Sequence, residues 1–268
     1  MGLTRTDGPL SPYAPKTVNY AIDGPPHKLL MHPFPRRVRA EFAGRTVLDT
    51  TGGQLVHESN LLPVLYVPTS DLSSDALVPS DHTTHCPFKG DATYRSLQVG
   101  ERVAENAVWT YPEPTPDAQW LRGYSALYWN SADAWYDEDE QVFAHLTDPY
   151  TRVDVRPTHR HVVVRYEDTV LASSDAPTVL SETGLKNRWY LAPEDVQVPL
   201  RPSTTRMRCP YKGESSYWSV TLPDGTEIPD AAWSYPDPLP ESSRIAGLLS
   251  FTDGESTGIT VEADGLPA

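Results

Sequence analysis

Val38, Ala40 and Phe42 alternate with Arg39 and Glu41, and beyond Ala43-Gly44 the chain resumes as Thr46-Val47-Leu48. Period-two alternation on both sides of a glycine predicts a β-hairpin with one face buried. The pattern returns as Val162-Val163-Val164-Arg165-Tyr166, then Glu167-Asp168, then Thr169-Val170-Leu171, so Thr-Val-Leu is identical in the two places. A longer block recurs with it. His85-Cys86-Pro87-Phe88-Lys89-Gly90, with Tyr94 beyond, matches Arg208-Cys209-Pro210-Tyr211-Lys212-Gly213 with Tyr217. Glu58 and Glu182, Tyr66 and Tyr190, Asp71 and Asp195, and Trp109 and Trp233 keep the same order. An internal repeat on this scale means two copies of one supersecondary plan.

Both copies continue through Trp-Thr/Ser-Tyr-Pro-Glu/Asp-Pro, at Trp109 to Pro114 and Trp233 to Pro238. The prolines predict an ordered loop. Thr115-Pro116-Asp117 then offers a helix start, and Trp120, Tyr124 and Leu127 fall on one helical face; Ile245, Leu248 and Leu249 hold the corresponding place in copy two. Pro223-Asp224-Gly225 announces a hairpin. The prediction is an all-β or β-dominated fold: two similar compact domains of short antiparallel strands, each with one short helix, packed side by side. The expected bounds are a Pro-rich N-terminal extension at 1–35, a first repeat domain at 36–156 and a second at 157–268, with the join near Arg156-Pro157. The extension holds Pro9, Pro12, Pro15, Pro25, Pro26, Pro33 and Pro35 with little apolar periodicity, as in a segment draped over a domain.

Composition narrows the partners. Lys and Arg total 22 against 36 Asp and Glu, a formal net charge of -14, which repels phosphate backbones and anionic membrane surfaces. Nucleic acid and membrane are therefore not expected as partners. The run Asp137-Glu138-Asp139-Glu140 reads as a solvated face. Only two cysteines occur, at equivalent places in the two copies, so a disulfide framework is not expected and a reducing cytoplasm fits. No window is apolar enough to span a bilayer and no secretory leader is legible at the N-terminus. Met1-Gly2 with Thr6 matches the myristoylation pattern in form, a coincidence that so short a pattern produces often.

The candidate chemistry gathers in copy one. His82 and His85 beside Cys86 read either as a nucleophilic thiol with imidazole partners or as a small core residue before a shape-determining proline. Copy two keeps Cys209 but has Thr205 and Arg208 in place of the histidines, so any chemistry using them belongs to copy one. The same trio, with His57 or Glu58, could be read as a zinc site, but adjacent His85 and Cys86 on an extended segment point to opposite faces, and no metal or other cofactor is assigned. Lys89-Gly90 suits either an anion holder or a turn whose lysine pairs with a carboxylate such as Glu58. The candidate catalytic residues are Cys86, His82, His85 and Glu58. The candidate ligand-binding residues are Lys89, Tyr94, Trp109, Tyr111 and Tyr66, whose aromatic rings serve equally as packing.

At Asp81-His82-Thr83-Thr84-His85-Cys86-Pro87-Phe88-Lys89-Gly90 and Trp109 to Pro114, the chain resembles the domain of unknown function 427 family, over about 36–140 and again over about 160–262. The resemblance implies a compact β-rich bacterial domain without an assigned biochemical role. The nucleotidyltransferase-like label sometimes attached to that family finds no Gly-Ser followed by a paired Asp-x-Asp here. Two functions stand open at this level. One is a small polar or anionic metabolite site in the first domain that supports catalysis; the other is a non-catalytic ligand-binding or protein-interaction module in which the repeated block is a structural turn.

Overall fold

The computed structural model describes residues 24–268, with 3–5, 8, 10, 11, 17 and 19. Met1, Gly2 and Thr6, like Pro9, Pro12 and Pro15, lie outside the described residues. The chain folds as two compact units, residues 1–148 and 149–268. The expected join falls inside a strand of unit 2, Val153–Pro157, which pairs with Thr178–Glu182. The extension is shorter than the prolines suggested. Leu29–Pro33 is a strand, with Leu29 opposite Glu58 and Met31 opposite Val56.

Unit 1 is built from β1 (Leu29–Pro33), β2 (Val38–Phe42), β3 (Arg45–Thr50), β4 (Gln54–Glu58), β5 (Val64–Pro68), β6 (Leu77–Cys86), β7 (Gly90–Val99), β8 (Arg102–Thr110), β9 (Tyr124–Leu127), β10 (Ala134–Asp137) and β11 (Glu140–Val142). They form a seven-stranded antiparallel sheet in the order β1-β4-β5-β9-β8-β7-β6 and a four-stranded sheet in the order β11-β10-β2-β3. The predicted hairpin is β2–β3, with Ala43 and Gly44 both at positive φ, as its tight turn requires. Val38, Ala40 and Phe42 face inward and join Val47, Leu48, Leu55, Val67, Leu97, Val108, Leu127 and Trp135 in the main core between the two sheets. Alternation along β4, β5 and β8 then sends Val56, Tyr66 and Trp109 to the opposite face of the larger sheet, where a second cluster forms with Tyr94, Tyr111, Ala118, Leu121 and Ala126.

Unit 2 repeats the plan. Val153–Pro157, Thr178–Glu182 and Arg188–Tyr190 form one sheet, and Leu200–Cys209, Gly213–Thr221, Glu227–Ser234 and Ser250–Phe251 another. A Leu191–Leu249 bridge links them in the strand order of unit 1. The hairpin Val162–Tyr166 with Thr169–Ser174, together with Ile259–Ala263 and Leu266–Pro267, makes the smaller sheet. Pro223-Asp224-Gly225 is the turn between two paired strands, as predicted.

The expected short helices are present at the expected places, but as 3-10 helices that end earlier than the pattern suggested. Pro116–Leu121 and Pro240–Ile245 are 3-10 turns, the first kinked at Ala118, and Thr115 makes no side-chain cap. Tyr124 and Leu127 belong to strand β9, which inserts between β5 and β8. Trp120, Tyr124 and Leu127 share a helical spacing by coincidence. Gly123 at φ 84 ends the turn, and two flanking strands then take up β9's backbone groups. Trp109 and Thr110 likewise finish β8, so the ordered loop begins only at Tyr111.

Candidate functional site

The turn Pro87-Phe88-Lys89 that joins β6 to β7 carries the repeated block, and its geometry is the same in both units. Lys89 N–H donates to Cys86 O at 3.3 Å, and Lys212 N–H to Cys209 O at 3.3 Å. Thr115 N–H donates to Lys89 O at 3.1 Å, and Leu239 N–H to Lys212 O at 3.1 Å, which ties the turn to the proline loop. Thr115 Oγ1 adds a bond to Phe88 O at 2.8 Å. Gly90 sits at φ 103, and a Cβ there would lie 3.1 Å from Glu113 O; Gly213 sits at φ 99, with the matching figure 3.2 Å from Asp237 O. The glycine is required by both conformation and space.

Lys89 Nζ makes an ion pair with Glu58, whose side chain is 9 % exposed against 11 % for the lysine. Lys212 and Glu182 repeat the pair at 2.5 Å. Of the two sequence readings of Lys89, the salt-bridged turn is therefore the one the contacts match, and the ammonium charge is already taken up. The pair also shapes the sheet. From β4 to β7 there are four interstrand steps, about 19 Å if the sheet were flat, farther than the two side chains reach together. The sheet is curled so that its Tyr66 face is concave, with the ion pair spanning the mouth.

Across that concave face the pairing register lays out one row. Tyr66 is opposite Ala126, Ala126 opposite Trp109, and Trp109 opposite Tyr94. His82 continues the row from β6, its ring 4.6 Å from that of Tyr94 and edge-on to it. Trp109 Nε1 donates to Tyr66 Oη at 3.1 Å, and Thr84 Oγ1 bonds Tyr94 Oη at 2.9 Å. Tyr128 stands at the open end, 46 % exposed, its ring 4.4 Å from that of Trp109 and tilted by 38°. Burial first, and then the neighbouring Tyr94 hydroxyl, push the Tyr128 phenol up to about 12. Burial likewise pushes Tyr66 and Tyr111 far above the ordinary phenol value, so both keep their protons.

The predicted site residues are thus sorted by face. His82, Cys86, Glu58, Lys89, Tyr66, Tyr94, Trp109 and Tyr111 share the concave side; His85 does not. Its Nδ1 pairs with Asp91 at 2.6 Å on the opposite, exposed face, and copy two substitutes Arg208 with Glu214 at 2.8 Å. Cys86 is half-buried against the aromatic cluster. Glu58 is the last residue of β4. His57, the neighbour of Glu58, is buried on the main-core side of the sheet, where burial pushes its imidazole below the ordinary value, with Asp148 opposing and His32 assisting. Among the described residues, no cluster of three or more His, Cys, Asp or Glu is placed to hold a metal ion.

A depressed folded value for His57 means that the unfolded chain binds its proton more readily once the pH falls below about 6.5. That contribution to stability is present above this value and is lost as the pH falls. The urea midpoint of unit 1 is expected to be higher at pH 8 than at pH 5.5, and an unchanged midpoint would remove His57 from the account.

Three functional candidates escaped the sequence reading. His27 Nε2 bonds Glu58 Oε1 at 2.8 Å while its ring stacks on Phe88 at 3.7 Å, but it lay in the stretch read as an extension. Thr84 was hidden between the histidines. Tyr128 could have been found by aligning the copies, because Thr252 stands in its place in unit 2. There the tryptophan is also covered differently: the Arg188 guanidinium lies over the Trp233 ring at 5.5 Å, where unit 1 has Val64.

A family model described as Domain of unknown function (DUF427) matches residues 30–138 and again 154–262. No curated protein matches the chain.

Proposed function

We propose that this chain, which belongs to the Domain of unknown function (DUF427) family and carries its domain twice, is a non-catalytic small-molecule-binding protein whose site is the aromatic row of unit 1. One observation carries the proposal. The Trp109 face is flanked by an exposed Tyr128 in unit 1, whereas its counterpart Trp233 is covered by Arg188 in unit 2. A shared frame with a divergent surface is what a binding copy and a scaffold copy of one domain would look like. The ligand-facing residues are His82, Thr84, Tyr94, Trp109 and Tyr128. Lys89 and Glu58 hold the curvature of the sheet rather than the ligand, and Tyr66 and Tyr111 support the row from beneath.

A thiol nucleophile finds less support. Cys86 packs against the cluster, the His85 ring is on the other face, and the block around the cysteine is retained in the copy without histidines. One contact favours a catalytic second reading: His27 Nε2 on Glu58 is a carboxylate-oriented imidazole, the arrangement that readies a base. We place the protein in a reducing cytoplasm, a placement supported by the free thiols of Cys86 and Cys209. Among the described residues no helix is long and apolar enough to cross a membrane.

A thermal-shift screen of small polar metabolites tests the proposal, because a ligand that binds only the folded state raises its apparent stability. The expected shift appears in wild type and in Cys86→Ala and disappears in Tyr128→Ala. A shift that vanishes in Cys86→Ala or His27→Ala but persists in Tyr128→Ala would replace the binding reading with a catalytic one.

A further inference from the structure

We infer that the ligand of the unit 1 row is a neutral carbohydrate ring, lying with one C–H face on Trp109 and Tyr128 and its hydroxyl rim on Thr84, Tyr94 and His82; the inference rests on the binding reading above.

Charge supplies the first step. The charges carried by the repeated block are already paired: the Lys89 ammonium with Glu58, and the Asp91 carboxylate on the far face with His85. The chain as a whole carries a formal -14, so the long-range field works against an anionic guest, and the Lys89 ammonium is already held by Glu58. What the row offers instead is hydroxyl groups and one imidazole. Thr84 and Tyr94 are joined hydroxyl to hydroxyl, and Tyr128 adds a third hydroxyl from the ring beside Trp109, each able to donate and to accept. A polyol is the complementary partner, since each of its own hydroxyls also does both.

Ring geometry supplies the second step. Trp109 and Tyr128 touch at 4.4 Å and are tilted by 38°, so there is no parallel slot between them for a flat heterocycle to enter. A guest must lie on the two rings. A puckered sugar ring presents an apolar C–H face and a polar edge at right angles to it, which matches an aromatic floor bordered by hydroxyls. The floor is shallow, so weak binding is expected, with a dissociation constant on the order of millimolar.

Unit 2 provides the contrast. Thr84 is replaced by Met207, whose sulfur takes the Tyr217 hydroxyl at 3.1 Å; His82 and Tyr128 are replaced by Thr205 and Thr252, and Arg188 covers the tryptophan. Three of the five residues the sugar would use are replaced there and the retained Tyr217 and Trp233 have different neighbours, while the ion pair, the glycine turn and the Trp–Tyr bond beneath are kept.

The experiment is a titration of the full chain with neutral disaccharides (maltose and cellobiose), adenosine and inorganic phosphate, read by saturation-transfer difference NMR and by the change in tryptophan fluorescence. A disaccharide is expected to bind saturably and phosphate not at all. Tyr128→Ala weakens the sugar about tenfold or more, the loss of one stacking face. Val64→Arg, which puts a guanidinium at the position of Arg188 without the Asp253 that pairs with it in unit 2 and removes no group from the row, weakens binding; circular dichroism and the urea midpoint show that each variant is folded. Adenosine binding in place of sugar, with the same response to Tyr128→Ala and Val64→Arg, would overturn the ligand class and keep the site. Sugar binding indifferent to both variants would overturn the site, and no binding by any probe would overturn both.

Discussion

Lys89→Met is expected to lower the stability of unit 1 by about 3–5 kcal/mol, because it leaves the Glu58 carboxylate buried without its cation. The loss should appear as a lower urea midpoint with an unchanged slope, the mark of lost stability rather than of a changed unfolded state. Glu58 keeps His27 as a neighbour, but that contact lies at the half-exposed rim and replaces neither the charge nor the position of the ammonium. Lys212→Met should cost unit 2 about the same, since its pair is buried to the same degree, with side chains 12 % and 9 % exposed. The double change Lys89→Met with Glu58→Leu should recover much of the loss, because removing both charges also removes the cost of burying them. A loss under about 1 kcal/mol for the single variant would be the value of a surface pair and would show that the pair is not a stabilising clasp.

Gly90→Ala is the second large effect, expected at about 1–3 kcal/mol from backbone strain at a positive φ. The Cβ would also press on Glu113 O at 3.1 Å, a backbone atom in a loop stiffened by Pro112 and Pro114 that has little room to move. Gly213→Ala meets the same geometry in unit 2 and should behave alike. Gly100→Ala is the control: it too has positive φ, but nothing lies within 4 Å of its Cβ, so it isolates the conformational part of the cost. Equal losses at Gly90 and Gly100 would mean that the contact with the proline loop contributes nothing.

The fold was legible where local pattern and pairing agree. Alternation at Val38 to Leu48 and its repeat at Val162 to Leu171 gave both small-sheet hairpins, and Pro223-Asp224-Gly225 gave a turn, because side-chain period and turn chemistry are local properties. Strand β9 was not legible. Tyr124-Ser125-Ala126-Leu127 is too short to show its own period, and what makes it a strand is the pair of neighbours, β5 and β8, between which it lies. The site was half legible for a related reason. The repeat singled out Glu58, Lys89, Tyr66 and Trp109 because the frame needs them, which is also why they do not distinguish the copies. Sequence could not show that Lys89 spends its charge on Glu58, a contact across a curled sheet. Nor could it place His85 outside the group, beyond the parity argument that set it opposite Cys86. Tyr128 and Val64 stand out only once Trp109 and Trp233 are seen with different neighbours, one beside the Tyr128 ring and one beneath a guanidinium.

The ion pair across the mouth of the sheet also acts as a ruler. The distance between the end of β4 and the β6–β7 turn equals one lysine plus one glutamate side chain, and the curvature of the concave face follows from that length. An aspartate in place of Glu58 would carry the same charge on a shorter arm, and the sheet would have to wind tighter or let the contact go. The two units of this chain both retain the pair, and they differ in what stands beside the tryptophan inside it.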